Sequence, residues 1–260
     1  MATEELLPQQ RHALIRDRLL AEGRVIAVDL AQELDVSHDT IRRDLRELAA
    51  AGQCQRVYGG ALPPAPRNGP IAARLKQDSA RKEALARAAV SLVKRGDVVF
   101  LDASSVNHAI ARVLPREQGL TVVTNAPAIA AVLAGREDVE LIVIGGRVDP
   151  HLGASLGAGA IRDAKALGSD LYFVGTCGAD SVAGISAQDY EDAQFKQTVA
   201  AGSRATVAAV TNEKLGTSAP FSVLPITGLH ALVVERDAPA TQAKAFTRNG
   251  VRVLRAEAVA

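Results

Sequence analysis

Seven short apolar runs from residue 97 onward constrain the fold more than any other feature of this chain. They are DVVFLD (97–102), LTVVTN (120–125), VELIVIGG (139–146), DLYFVG (170–175), ATVAAV (205–210), HALVVE (230–235) and VRVLRA (251–256). Most are rich in β-branched residues and apolar at successive positions, as strands buried on both faces are. Between them lie helix-like segments, among them 107–114, 126–134, 190–201 and 240–248. Strands alternating with helices predict an α/β domain built on a mainly parallel sheet covered on both sides.

A second texture precedes this one. The stretch LPPAPRNGP (62–70) places three prolines within residues 63–66, and proline fixes φ and lacks an N–H. It reads as a stiff extended linker. The expected organisation is therefore a helical domain over 1–61, a linker over 62–70 and an α/β domain over 71–260.

Composition sets outer limits on what the two parts do. The 260 residues are 48% hydrophobic but only 3% aromatic, so the core is built mostly from Ala, Val, Leu and Ile. Net charge is +1, and any nucleic-acid or membrane role must come from local patterning. Cys54 and Cys177 are the only cysteines and lie far apart, which suits neither a disulfide framework nor a Cys-based zinc site. His108, His151 and His230 are isolated, and no metal or cofactor is expected. The opening MATEELLPQQRH is acidic and polar, unlike a signal peptide, and no apolar run approaches the roughly 20 residues of a spanning helix. The expectation is a cytoplasmic protein with no membrane partner.

Local patterning is found in the first part. Helices are expected over about 9–22, from about residue 28 through Leu34, and from His38 onward, with a tight turn at Asp35-Val36 and Ser37 as N-cap. On the third helix Ile41, Leu45 and Leu48 recur at i, i+4, i+7 and form a buried stripe. At about 100° per residue, Asp39, Arg42, Arg43 and Arg46 then share the opposite sector. An arginine face alone is ordinary solvated surface. The short second helix, the Ser-capped third and the alternating segment QCQRVYGGA, which reads as a β-hairpin wing, together favour a recognition helix. Asp39, Asp44 and Glu47 dilute the positive patch.

The block GRVIAVDLAQELDVSHDTIRRDLRELAAAGQCQRVYGGA (23–61) resembles the DNA-binding domain of the DeoR family of bacterial transcriptional regulators. The resemblance implies a winged helix-turn-helix that binds double-stranded operator DNA through Ser37, His38, Asp39, Thr40, Arg42, Arg43, Arg46 and Arg56. It continues through the second part, where the family's sensor domain is similar to ribose phosphate isomerases and recognises a phosphorylated sugar or related metabolite.

The effector residues it implies gather at strand ends, where open parallel sheets bind small molecules. Asp102, Ser104 and Ser105 stand where the family has Asp-x-Gly-Thr-Thr, with the glycine replaced. Thr124 and Asn125, Gly145 and Gly146, and Asp180 in GADSVAGIS follow the family pattern. Asp192 with Lys196, Lys214 and the helix residue Lys82 complete the set. From the residues alone, Ser104-Ser105 is a helix cap, and Asp192 with Lys196 is a surface i, i+4 ion pair.

The function expected is a regulator, a repressor of a carbohydrate operon, with no catalytic residues and a homodimeric or homotetrameric assembly to match symmetric half-sites. The alternatives are a sugar-phosphate isomerase with an accessory DNA-binding head, for which Asp102, Asp180, Asp189, Glu191 and Asp192 offer carboxylate bases, and a DNA-binding or scaffolding protein whose second domain only oligomerises.

Overall fold

The fold is that of a computed structural model in which residues 6–257 are described. The head opens with α1 (Pro8–Glu22), β1 (Val25–Ile26) and α2 (Ala27–Glu33), and continues with α3 (His38–Ala50), β2 (Gln55–Val57) and β3 (Gly60–Leu62). The Ser37 hydroxyl accepts the Thr40 amide at 3.1 Å, which is the expected N-cap of α3. Asp35 takes φ 53° in the turn before it. Ile41, Leu45 and Leu48 are buried against Ile15, Leu19 and Leu30. The wing is a hairpin, β2–β3, extended by β1 in the order β1-β3-β2. The pairing of β1 with β3 was not visible in the sequence, because two residues carry no periodicity.

Asp44 overturns one expectation. It is 1% exposed and sits on the inner side of α3, so it does not dilute the outer arginine face.

The second part runs α4 (Ile71–Arg74), α5 (Ser79–Val90), β4 (Val98–Leu101), α6 (Ser105–Val113), β5 (Leu120–Thr124), α7 (Pro127–Leu133) and β6 (Val139–Val143). A hairpin, β7 (Val148–Asp149) and β8 (Ala154–Ser155), precedes α8 (Ala158–Lys165) and β9 (Ser169–Phe173). Then come β10 (Gly178–Asp180), β11 (Gly184–Ala187), α9 (Tyr190–Ala201), β12 (Ser203–Val210), β13 (Phe221–Leu224), β14 (Ala231–Val234), α10 (Ala240–Arg248) and β15 (Arg252–Arg255).

Each of the seven apolar runs contributes one strand to a single parallel sheet, ordered β15-β14-β12-β9-β4-β5-β6. Side chains alternate across it, as strand geometry requires. Val99 and Leu101 pack with Leu85 of α5, Ile110 of α6 and Ile129 of α7. Phe100 and Tyr172 face the other way, toward Ala160 of α8, Phe195 of α9 and Phe246 of α10. Burying each large aliphatic chain contributes roughly 1.5–3 kcal/mol, so the two faces carry most of the stability. The chain moves outward from β4 to β5 and β6, then returns to place β9 on the other side of β4. The strand order therefore reverses between β4 and β9, the kind of switch point at whose carboxyl ends open parallel sheets bind ligands.

Beyond the sheet lies a small antiparallel one, β10-β11-β13. The segment 178–180, which is not among the seven apolar runs, is its first strand.

The proline stretch is extended, but it lies bonded to the second domain. The Ala65 amide donates to the Ser218 carbonyl at 2.8 Å, and the Ser218 amide donates to Pro63. The Gln188 amide group donates to Pro66, and Asn68 Nδ2 lies 3.1 Å from Cys177 Sγ. Among the described residues no helix is long and apolar enough to cross a membrane.

Candidate functional site

The head carries a groove of about 670 Å³ between α3 and the wing. His38, Asp39, Arg42 and Arg46 line it from α3, and Arg56 and Tyr58 line it from the wing. The three arginines are exposed, and Tyr58 stands clear of the surface. The only carboxylate within 4.0 Å of any of them, among the described residues, is Asp39, 3.7 Å from Arg42. Ser37 and Thr40 cap the helix at the mouth of the groove. Arg43 lies on the flank of α3, outside the groove and 4.0 Å from Glu47. The surface thus offers three guanidinium groups on a concave face, the donor type that suits phosphates and the guanine edge.

In the second domain a buried polar cluster at the ends of β4 and β9 is built around Asp102. It is 1% exposed, and three of the chain's own donors meet it: Tyr172 Oη at 2.5 Å, the Gly175 amide at 2.8 Å and Asn107 Nδ2 at 2.8 Å. Burial pushes its carboxyl up to about 6; Lys196, Tyr172 and Gly175 oppose the rise while Asp192 adds to it. Burial and the neighbouring carboxylate also push the Tyr172 phenol up, which keeps it a donor. Asp102 therefore ties together the ends of β4 and β9 and the start of α6. Gly175 is required there, since a Cβ would stand 2.5 Å from Asp102 Oδ1 and 2.7 Å from the Ser104 Cβ.

Ser104 caps α6 by accepting the Asn107 amide at 3.0 Å, and Ser105 follows it, buried. Asp192 and Lys196 are no surface pair. Their side chains are 7% and 4% exposed and bonded at 2.5 Å. Burial works against the Lys196 charge, but Asp192 and Asp102 outweigh it and hold the ammonium above the ordinary lysine range. Lys214, just beyond β12, donates to the Thr176 carbonyl at 2.9 Å and, among the described residues, has no carboxylate within 4.0 Å. Burial pushes it down to about 8, with Arg74 and Lys196 adding to the fall. Thr124 and Asn125 are buried at the end of β5, and Asn125 Oδ1 and Thr176 Oγ1 are buried without a hydrogen-bond partner among the described residues.

Four expected effector residues stand apart. Gly145 and Gly146 lie in an exposed loop after the edge strand β6. Lys82 is buried and its Nζ is held by the Arg74 and Gln77 carbonyls. Asp180 accepts the Val182 and Ala183 amides on Oδ1 and Arg24 of the head on Oδ2, all at 2.9 Å. Conversely, Asn107, Tyr172, Gly175 and Thr176 belong to the cluster and were missed. Tyr172 and Gly175 read as parts of an apolar strand, and only the polar Tyr172 hydroxyl within DLYFVG gave a signal. Among the described residues no group of three or more His, Cys, Asp or Glu is placed to hold a metal ion.

Comparison with known families agrees with both halves. A profile described as DeoR-like helix-turn-helix domain matches residues 11–66, and one described as DeoR C terminal sensor domain matches residues 77–236. The chain belongs to the DeoR family. Its DeoR-family relatives include the glycerol-3-phosphate regulon repressor of Escherichia coli K12, 28% identical over 94% of this chain and 97% of the relative. Another is the transcriptional repressor GlcR of Bacillus subtilis 168, 29% identical over 95% of each. Among solved structures, ribose 5-phosphate isomerase A of Methanocaldococcus jannaschii matches with TM-score 0.36 and 16% identity, over 51% of this chain and 52% of that one. As in the rest of the DeoR family, a DNA-binding head is followed by a sensor domain, and the protein is a transcriptional regulator.

Proposed function

We propose that this regulator represses a carbohydrate-metabolism operon and releases its operator when a phosphorylated sugar or related metabolite occupies the sensor domain. The observation that carries this reading is the open groove lined by Arg42, Arg46 and Arg56. These arginines reach the major-groove edge and the phosphates, the Ser37–Thr40 turn enters first, and Arg43 meets the backbone beside them.

The effector's phosphate lies at the ends of β4, β9 and β12, with Lys214 and Lys196 supplying positive charge. Ser104, Ser105, Thr124, Asn125 and Thr176 supply hydroxyl and amide groups around it. Asp102 and Asp192 position these groups and do not touch the ligand. Asp102 is closed off by its own donors, so it is unsuited to shuttle a proton between sugar carbons, which favours sensing over isomerisation. The regulator acts in the cytoplasm as a homodimer or homotetramer, since paired half-sites require paired heads.

The test is fluorescence anisotropy with duplexes from the region upstream of its own gene, with and without glycerol 3-phosphate, ribose 5-phosphate and their relatives. The expected result is binding far tighter than to unrelated duplex, weakened by one of these compounds. Equal affinity for specific and unrelated DNA overturns the reading.

A further inference from the structure

The head and the sensor domain meet through a charged pair that the effector reading leaves unexplained. Arg24 Nη2 lies 2.9 Å from Asp180 Oδ2, across 156 residues of sequence. Both ends are fixed. Arg24 stands between Gly23, which ends α1 with φ 73°, and β1. Asp180 is 2% exposed, and the Val182 and Ala183 amides hold its Oδ1, which aims Oδ2 at the head.

Asp180 ends β10, and β10 is tied to the segment that carries Lys214. The Gly216 amide donates to the Ala179 carbonyl at 2.8 Å, Ala179 bridges to Leu215, and Lys214 Nζ holds the Thr176 carbonyl just before β10. Gly216 also lines the cleft of about 200 Å³ that separates the domains, together with Glu22, Arg24, Asp180 and Gln242. Gln242 Oε1 is buried in this seam without a hydrogen-bond partner among the described residues.

We propose that Arg24 and Asp180 form a clasp that holds the DNA-binding head on the sensor domain, with Lys214 as its trigger. This rests on the reading that the sensor takes an anion at Lys214. An anion there draws the ammonium away from the Thr176 carbonyl. The run Thr176–Asp180 then loses one of its ties to the Lys214 segment, the Asp180 carboxylate shifts, and the head is freed from a fixed orientation. A ligand achieves this only by binding the released arrangement better than the clasped one, and the lost Lys214–Thr176 bond is the local difference between the two. The DNA groove is open in the clasped form, so the clasp orients the head rather than masking it.

The test uses the full chain with spin labels on cysteines introduced at the exposed positions Leu20 of α1 and Arg162 of α8, the native Cys54 and Cys177 being buried. Labelled chains are diluted into unlabelled ones so that only the distance within one chain is read. The parent gives one narrow head-to-sensor distance. Arg24→Met and Asp180→Asn each lose it while keeping the parent's circular dichroism; the asparagine still accepts both amides. Arg24→Lys keeps it. Lys214→Met loses it with no ligand present. Glycerol 3-phosphate and ribose 5-phosphate are then added to the parent, and the one that raises its melting temperature also abolishes the narrow distance.

A narrow distance that survives Arg24→Met overturns the clasp, and one that survives Lys214→Met overturns the trigger. If no sugar phosphate stabilises the parent, the sensor reading fails. The four ligand-free variants still decide the clasp and its link to Lys214.

Discussion

Arg11 and Asp44 are bonded inside the head, with Nε 2.7 Å from Oδ2 and Nη2 3.2 Å from Oδ1. The pair joins the first turn of α1 to the inner face of α3, and His12 Nε2 lies 3.3 Å from the same carboxylate. Both side chains of the pair are nearly inaccessible, so removing Asp44 takes a carboxylate and two hydrogen bonds from a buried guanidinium. Asp44→Ala is expected to destabilise the head by about 1.5–3 kcal/mol, as loss of hydrogen bonding to a charged group does. Glu47→Ala, at an exposed position of the same helix, changes stability by about 0.5 kcal/mol or less. Denaturant unfolding of the two variants checks this, and equal midpoints would remove the pair's structural role.

The arginines of α3 differ in what they face. Arg42 lines the groove with Arg46 and Arg56, whereas Arg43 stands on the flank. Arg42→Ala is expected to cost about 1–3 kcal/mol of operator affinity and to relax preference at one base pair. Arg43→Ala weakens binding evenly across sequences and lowers the salt slope by about 1, as a lost phosphate contact does. Anisotropy titrations at several salt concentrations on operator and mutated operator separate the two. The assignment fails if Arg43→Ala alters base preference and Arg42→Ala does not.

The strands and the buried stripe of α3 were legible because each is a local pattern. Continuous apolar runs mark strands covered on both faces, and Ile41, Leu45 and Leu48 recur at helical spacing. What the sequence hid depends on partners far along the chain. Asp44 looks like surface charge until Arg11 is brought beside it, 33 residues away. Asp192 and Lys196 look like an exposed ion pair until α9 packs on the sheet and buries them. Asp180 matched a family loop, yet its free oxygen is taken by Arg24 of the other domain. The proline stretch carries no periodicity, so its pairing with Ser218 had no local signal.

The Asp102 seat depends on the absence of a side chain at Gly175. A methyl group there would stand 2.5 Å from Asp102 Oδ1, and the Ser104 Cβ blocks the other direction. Gly175→Ala is expected to cost roughly 1–3 kcal/mol by overpacking. It also moves the start of α6, so sugar-phosphate binding weakens along with stability. Asp102→Ala avoids the clash but strands Tyr172 Oη and the Gly175 amide, two buried donors, while Asn107 Nδ2 keeps the Phe173 and residue-102 backbone carbonyls. Each stranded donor costs about 1–3 kcal/mol, so this variant should be the less stable of the two. Thermal melts of both, with calorimetric titration of the folded one, check the order; a Gly175→Ala protein with parental melting and binding would show that the seat yields easily.

Lys214 sets a pH limit on effector binding. Its ammonium is pushed down to about 8 from the ordinary lysine value of 10.5, chiefly by burial. Between those two values the folded chain holds fewer protons than the unfolded one, so this group's contribution makes the fold more stable as pH rises from 8 to 10.5. Binding runs the opposite way. A bound phosphate favours the charged amine, so the free protein must take up a proton to bind above pH 8. Affinity is expected to be flat in this group below pH 8 and to fall by up to about tenfold per pH unit above it. Lys196, held charged by Asp192 and Asp102, gives no such loss over the same range. Calorimetry in buffers of different ionisation enthalpy detects the proton uptake directly. Lys214→Arg keeps the charge at every pH used and should flatten the profile; a fall of the same steepness in that variant would place the titrating group elsewhere.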